Sequence, residues 1–378
     1  MNYRKPFLLL IALLFGLVFQ AYSQGNAASP YSFIGLGDNF TKGNIRSLSM
    51  GGVDMALRSP MYINMNNPAG ISGIDSMSFV GSVGLAINNT TYRTSDLSSS
   101  FSSSNINHLA IAFPVTRWWK TAILLLPYSS VGYEVHDDEV KDNIGYTEYS
   151  YEGDGGMDAF SWTNAFLINK NLAIGINASY YFGKIEHTRK ISFPDSILMF
   201  NSLVKERIVI NGLFFEGGIQ YYLPLNNNNT LGFGVKYGNK ATLSGASDYL
   251  SLTYLGNSIY NNQSLDTIRT WEREKKTIEL PYSFGFGVSW TKLNKLTISA
   301  DFRFENWKDF KYLDSEIDLS NKLFFAIGTE YIPESNNLSA KRQMPPCLSD
   351  FIPPDFGVRY QADFGRRTDF PAAGFCAS

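Results

Sequence analysis

The chain has 378 residues, of which 44% are hydrophobic, 15% aromatic and 17% charged. A formal charge of −2 argues against a polyanion such as nucleic acid, and two Cys with three His are too few for a disulfide framework or a rich metal site. The abundance of Gly, Phe and Tyr favours strands and turns, so a helical bundle is excluded, and we expect no metal or other cofactor.

A secretory signal peptide is predicted over residues 1–23. Arg4 and Lys5 precede an apolar run at 7–19, and Ala21 and Ser23 supply small side chains at positions −3 and −1 of a cleavage site. The run is shorter than the roughly 20 residues that a spanning helix requires. We therefore expect export and a mature chain that starts at Gln24.

Residues 24–75 do not alternate between apolar and polar side chains. They mix Gly, Asn and Ser with apolar residues, as in the segments 35–37, 50–57 and 66–70. A wide barrel without a plug would be an open hole, so this segment is predicted to be a compact hatch inside a barrel formed by residues 76–334.

Strict alternation of apolar with small or polar side chains follows the hatch. Residues 172–183 place Leu172, Ile174 and Ile176 on one face, with Gly175 and Asn177 on the other. This period of two predicts strands. Ten are predicted, at 77–88, 107–115, 121–134, 157–168, 172–185, 207–223, 231–241, 275–290, 296–307 and 323–332.

The connections between these strands are alternately short and long. Short links occupy 116–120, 169–171, 224–230 and 291–295, whereas 89–106, 135–156, 186–206, 242–274 and 308–322 are long. Aromatic residues cluster near the short links, at Trp118, Trp119, Tyr221, Tyr222 and Trp290. This pattern is typical of an antiparallel transmembrane β-barrel in the outer membrane of a Gram-negative cell, with short periplasmic turns. A secreted β-sandwich is the alternative.

The sequence resembles the FadL/TodX-type outer-membrane transporters of hydrophobic compounds over residues 29 to about 333. The resemblance rests on Gly35-Leu36-Gly37, on Gly51-Gly52 before an apolar stretch, and on Asn67-Pro68-Ala69 ahead of the first strand. It implies a 14-stranded all-β barrel with an N-terminal luminal hatch that includes Asn67, Pro68 and Ala69. It also implies passive uptake of long-chain fatty acids or aromatic hydrocarbons with sideways release into the bilayer. An ordinary turn at the end of the hatch is the alternative for the triplet.

The third predicted strand contains Pro127 and Gly132. Because proline cannot donate to a strand ladder, a bulge or inward kink is predicted there. The resembled family opens its wall laterally at a kink in the third strand, so the resemblance implies a lateral gate at Pro127 and Gly132. A bulge without a function is the alternative.

Two of the long links, 186–206 and 242–274, are unusually apolar, which is typical of a binding groove or a partner surface. The residues concerned are Phe193, Leu198, Phe200, Leu203, Tyr249, Leu252, Tyr254 and Tyr260. The resemblance implies that they capture a hydrophobic small molecule; packing on each other as a lid is the alternative. Lys184, Arg189, Lys236 and Arg303 are the basic candidates for a ligand carboxylate, and none can be assigned from sequence.

An enzyme is not expected. His108, His136 and His187 lie on different elements and show no nucleophile or HExxH-like spacing. The acidic residues at 135–158 form either a solvated loop or a loose divalent-cation site, although no calcium-loop spacing is present.

Residues 335–378 depart from the pattern. They hold both Cys residues and five of the fifteen Pro residues, and only residues 358–364 hint at a strand. We interpret this tail as the result of a reading-frame change near 338–342, which would leave ten strands of a longer barrel with open edges and a product that folds poorly. A true ten-stranded barrel is the alternative, but it would leave little room for a hatch.

Together these observations favour passive outer-membrane transport of hydrophobic compounds, by a barrel in contact with outer-membrane lipid and with no nucleic-acid partner. The alternative is a FadL-like barrel that acts as a structural or docking component of an outer-membrane protein export or assembly machine, with outer-membrane proteins as partners. A continuous apolar tunnel would favour transport, and a lumen packed shut would favour docking.

Overall fold

The computed structural model describes residues 29–93, 98–142, 144–195, 199–255, 264–293, 295–332 and, for the backbone, 356–363. In these ranges sixteen strands form one sheet with antiparallel pairing throughout. They are β1 (Asp38–Asn39), β2 (Val80–Arg93), β3 (Ser98–Pro114), β4 (Trp119–Lys141), β5 (Gly145–Leu167), β6 (Leu172–Ser192), β7 (Asn201–Asn226), β8 (Asn229–Gly238), β9 (Ala241–Tyr254), β10 (Ser264–Leu280), β11 (Ser283–Lys292), β12 (Leu296–Glu305), β13 (Lys311–Tyr312), β14 (Ser315–Glu316), β15 (Lys322–Tyr331) and β16 (Phe356–Asp363).

The helical elements are short. One α-helix spans Ile45–Ser49, and 3₁₀ helices span Pro30–Phe33, Pro68–Gly73 and Trp307–Asp309. Among the described residues, no helix has the length and apolar character needed to cross a bilayer.

The sheet has an apolar outer face, as the alternation predicts, and an inner face that carries small and polar side chains together with two buried apolar clusters. Ile176 is 56% exposed while Asn177 beside it is 8% exposed, and Phe302 is 40% exposed beside Asp301 at 1%. Lipid solvates the outward side chains, whereas polar groups are tolerated toward the lumen. The all-β barrel prediction is thereby confirmed.

The strands are longer than predicted, and the prediction of long outer loops is wrong in most places. β4 and β5 pair as far as Lys141 and Gly145, and residues 242–254 and 264–274 lie in β9 and β10 rather than in a loop. Beyond the lipid belt both faces of a strand meet water. Polar residues then occupy both faces, so the strands stay paired although apolar and polar residues no longer alternate in the sequence.

One predicted strand, at 275–290, is two strands. The break lies at Pro281, whose missing N–H ends β10. The end of β8 at Gly238 and the start of β9 at Ala241 lie at the same height in the sheet. Below the break, β11 continues the wall to β12 and β15. Above it, β9 pairs with the upper part of β7, and β10 pairs with β9 and β13.

The segment between residue 29 and β2 lies against the inner face of the sheet. Met50, Val53 and Ile71 in this segment are fully buried. The inward glycines of the wall let its backbone approach closely: a Cβ on Gly175 would lie 2.3 Å from Ala69 N, and one on Gly234 would lie 1.9 Å from Met55 O. Small inward residues are therefore a packing requirement of the hatch.

The path of the sheet runs from β2 to β16, and no described residue pairs with the outer edge of either strand. The predicted strand near 358–364 corresponds to β16, which pairs with β15 from Lys322–Asp363 to Thr329–Phe356. The signal peptide and the proposed frame change at 338–342 lie outside the described residues and stay predictions.

Candidate functional site

The Asn67-Pro68-Ala69 triplet joins the hatch to the wall. The Asn67 side chain accepts a hydrogen bond from Ala69 N at 3.1 Å, which caps the 3₁₀ helix Pro68–Gly73, and it donates to Met55 O at 2.8 Å. Asn67 is fully buried. The triplet thus forms the turn that starts this 3₁₀ helix and packs against Gly175 of β6 and Gly218 of β7, and its role as a hatch motif stays a prediction.

Gly51 and Gly52 end the Ile45–Ser49 helix in the left-handed region, with φ angles of 76° and 90°. Gly52 N donates to Ser47 O at 2.7 Å, and Gly52 O accepts from the Arg303 guanidinium. A residue with a Cβ disfavours this backbone conformation. The pair therefore turns the hatch toward β12.

Buried charges fasten the hatch to the wall. Asp301 Oδ2 accepts from the backbone N–H groups of Asp54 and Met55, at 2.6 and 2.9 Å. Arg46 forms a bidentate pair with Glu330, at 2.8 Å for Nε–Oε1 and 2.5 Å for Nη2–Oε2. Burial, and then the charge of Asp301, raise the pKa of the Asp54 carboxyl to about 7.

A cavity of about 110 Å³ lies between the hatch and the wall. Its charged lining is largely paired: Lys236 Nζ lies 2.6 Å from Glu216 Oε1, Lys42 Nζ lies 4.0 Å from Glu216 Oε2, and Lys322 is 4.0 Å from Glu305. An apolar cavity of about 150 Å³ accommodates benzene. This cavity is smaller, and both charged and apolar side chains line it.

Two of the four basic candidates for a ligand carboxylate, Lys236 and Arg303, line this cavity. The other two do not, and Lys184 pairs instead with Glu186 at 3.1 Å. Sequence reasoning missed Lys42 and Glu216. Glu216 follows Phe215 in a strand of alternating residues, so its side chain faces inward. A carboxylate at such an inward position is the signal that could have identified Glu216.

Above the cavity the lumen is filled with apolar side chains. Trp307 and Phe310, from the connection between β12 and β15, are buried against Leu36 of the hatch and against the wall residues Tyr181 and Phe214. This connection was predicted to be an outer loop. In the described part of the chain, apolar side chains therefore cover the inner face of the sheet at this level.

Pro127 lies at a β-bulge, as predicted: the register between β4 and β5 shifts between Pro127 and Ser129. β3 pairs with β4 only as far as Leu109–Leu125 and then departs. The hatch strand β1 occupies the vacated edge, with Asp38 opposite Ser130, and Gly132 O accepts from Ser29 N at 3.1 Å. Pro127 and Gly132 thus flank an opening between β3 and β4 that the hatch covers.

The predicted capture residues lie mostly on strands and do not form an open groove. Leu203, Leu252 and Tyr254 are buried against one another, and Tyr249 stacks on Trp271 with ring centroids 4.6 Å apart. Phe193 is half-buried and Phe200 is exposed. Leu198 and Tyr260 lie outside the described residues. The capture role of these residues stays a prediction.

The three His side chains have separate partners. His108 contacts Ser82 Oγ at 2.7 Å, His187 contacts the Tyr133 hydroxyl at 2.8 Å, and His136 contacts Glu134 at 3.0 Å. Over the described ranges, no group of three or more His, Cys, Asp or Glu side chains could hold a metal ion.

A curled antiparallel sheet with a lipid-facing outer surface and an internal hatch defines an outer-membrane β-barrel. Several solved structures share this fold. A Pseudomonas aeruginosa FadL homologue aligns with a TM-score of 0.50 at 10% identity, over 86% of this chain and 82% of that one. The P. putida toluene transporter TodX aligns with a TM-score of 0.51 at 14% identity, over 84% and 82%.

The family is more specific than the fold. The BamG family model matches residues 4–343, and the chain belongs to the BamG family. A search of curated proteins finds no match. The chain is thus an outer-membrane β-barrel that belongs to the BamG family.

Proposed function

We propose that this barrel is a structural docking component of an outer-membrane protein assembly machine. The observation that carries the proposal is the filled interior of the curled sheet: apolar residues cover the upper part of its inner face, and the charged residues that line the cavity of about 110 Å³ beside them are largely ion-paired. The name of the BamG family supports the same direction.

The ion pair and hydrogen bonds that attach the hatch to the wall raise the free energy needed to displace the hatch. Displacement of the hatch separates Arg46 from Glu330 and removes two N–H donors from the buried Asp301 carboxylate. Breaking one buried ion pair costs about 3–5 kcal/mol. A passive transporter would have to recover that cost from ligand binding, whereas a docking component requires no such movement.

The tall wall supplies the surface that docking needs. β4, β5, β6 and β7 have 21 to 26 residues each, whereas a strand crosses the bilayer with about 9–11. Much of the sheet therefore stands outside the hydrocarbon layer, where it is available to another protein.

The test is purification of the tagged chain from native membranes in mild detergent, followed by quantification of the central barrel protein of the assembly machine. An abundant unrelated outer-membrane barrel with the same tag is the control. We expect a fixed stoichiometric ratio for this chain alone. Recovery at the level of the control would refute the docking role.

A second function, passive transport of a hydrophobic small molecule, is favoured by the opening between β3 and β4 at Pro127. In this proposal a ligand leaves the lumen sideways into outer-membrane lipid when the hatch withdraws. Growth of a deletion strain on long-chain fatty acid as sole carbon source tests it. Loss of growth that is rescued by the gene supports transport, and normal growth supports docking.

A further inference from the structure

The upper half of β4 has an edge that β3 does not pair with. β4 pairs with β5 along its whole length, from Trp119–Phe166 to Lys141–Gly145. On its other side it pairs with β3 only between Lys120 and Leu125, while β3 continues upward with β2. Two strand edges therefore face the same opening in the wall.

The hatch satisfies only the lower part of the β4 edge. Phe40 N donates to Tyr128 O at 2.9 Å, Ser29 N donates to Gly132 O at 3.1 Å, and Gly132 N donates to the Ser32 hydroxyl at 3.1 Å. Above Gly132, no described residue pairs with this edge. An unpaired strand edge is a template for another strand.

Two side chains at this edge also lack partners. The hydroxyls of Ser129 and Ser130 are buried, and no hydrogen-bond partner is present for either among the described residues. Both residues lie directly opposite β1 in the antiparallel register. The contact between β1 and β4 thus leaves polar groups that a better-matched strand could satisfy.

The flanks of the opening define the chemistry of such a strand. At the lower end of the opening Ile106 and the last register pair, Leu109 and Leu125, are exposed and apolar on the outer face, whereas higher up β4 carries exposed charged residues from Glu134 to Glu139. On the inside the neighbours are polar, including the buried His108 and Asn107, whose side chain donates to Gly43 O at 3.2 Å. At this lower end, which the hatch segment covers, a strand with apolar side chains outward and small or polar ones inward fits both sides, and that is the pattern of an outer-membrane barrel strand.

We propose that the free edge of β4 is a strand-addition site for a β-strand of another outer-membrane barrel protein, and that the hatch segment 29–40 partly occupies this site. The proposal rests on the docking function and specifies which part of the chain would bind the other protein. In strand addition, main-chain hydrogen bonds supply the affinity and the alternating side chains supply the specificity.

Two variants control access to the edge. Asn39 and Ser129 are register partners, so Asn39→Cys with Ser129→Cys locks the segment when oxidised, in a background with Cys347→Ser and Cys376→Ser. Gly37→Val releases the segment, because Gly37 has a φ of 85° and a Cβ there would lie 2.3 Å from Ser130 O.

The probe is a fluorescent peptide with the sequence of residues 296–305, LTISADFRFE, which has the required alternation. Its binding to the purified full chain in detergent is measured by anisotropy. We expect at least tenfold weaker binding to the oxidised lock than to the same protein after reduction, and tighter binding to Gly37→Val than to wild type. A peptide with Pro at alternate positions should not bind, because it lacks the N–H donors.

A photo-crosslinker at Val135, on the free edge, should capture the peptide. The same crosslinker at Ile174 on β6, which is equally exposed at 39%, should not. Equal affinity for the oxidised and reduced lock, or equal crosslinking at both positions, would overturn the proposal. The lock comparison decides even if Gly37→Val fails to fold. If the peptide does not bind but the assembly machine still co-purifies, only the strand-addition site is refuted.

Discussion

The ion pair between Arg46 and Glu330 offers a direct test of how firmly the hatch is held. Both side chains are mostly buried, at 14% and 7% exposure, and the pair is bidentate. Glu330→Gln keeps the shape and one acceptor but leaves the guanidinium without a countercharge. Breaking a buried pair costs about 3–5 kcal/mol. Because glutamine retains an acceptor, we expect a loss at the lower end, about 3 kcal/mol.

Hydrogen exchange of the purified protein in detergent measures this loss. A decrease of about 3 kcal/mol in the free energy of local opening raises exchange roughly 10²-fold in residues 44–57, while the lower part of β6 stays protected. Glu134→Gln is the control, since that side chain is 70% exposed and its pairing with His136 contributes little. Unchanged exchange in the hatch, or an equal rise in β6, would refute the reasoning.

Three further predictions concern the same assembly. Burial raises the pKa of Asp54 to about 7, so near pH 5 the folded hatch binds a proton that the unfolded chain has released. The free energy of unfolding of the hatch should therefore fall by about 2–3 kcal/mol from pH 5 to pH 8. Hydrogen exchange at both pH values should show this fall, and Asp54→Asn should remove most of it. Gly175→Ala should lower the unfolding temperature measured by heat-dependent gel mobility, because the added Cβ would lie 2.3 Å from Ala69 N. Gly217→Ala is the control and should change the unfolding temperature little, because no atom lies within 4 Å of its Cβ. Equal shifts for the two variants would contradict the close approach of the hatch to Gly175. Trp307→Ala should destabilise the barrel by about 3–5 kcal/mol and raise the permeability of liposomes to small solutes; unchanged permeability would show that Trp307 does not seal the lumen.

The lipid-facing part of the barrel could be predicted from sequence because the bilayer imposes a simple rule. Each outward position must be apolar, so Ile174, Ile176 and Phe302 repeat at a period of two. The bulge at Pro127 could also be predicted, because a missing N–H has a local consequence in any strand.

The attachments of the hatch could not be predicted. Arg46 and Glu330 are separated by 284 positions, and no local pattern links a cation in a glycine-rich segment to one inward carboxylate of the last wall strands. The Trp307 seal was missed for a related reason: a connection that folds back into the lumen has the same composition as one that stays outside. Long-range packing decides both.

The central claim is that this barrel supports the assembly of other outer-membrane proteins while its lumen stays closed. The most direct measurement is quantitative proteomics of the outer membrane after depletion of the chain, together with uptake of labelled long-chain fatty acid. We predict a broad fall in the abundance of outer-membrane barrel proteins. Fatty-acid uptake should fall only in proportion to the loss of the other transporters from the membrane. A normal outer-membrane proteome with a specific loss of uptake would contradict the account.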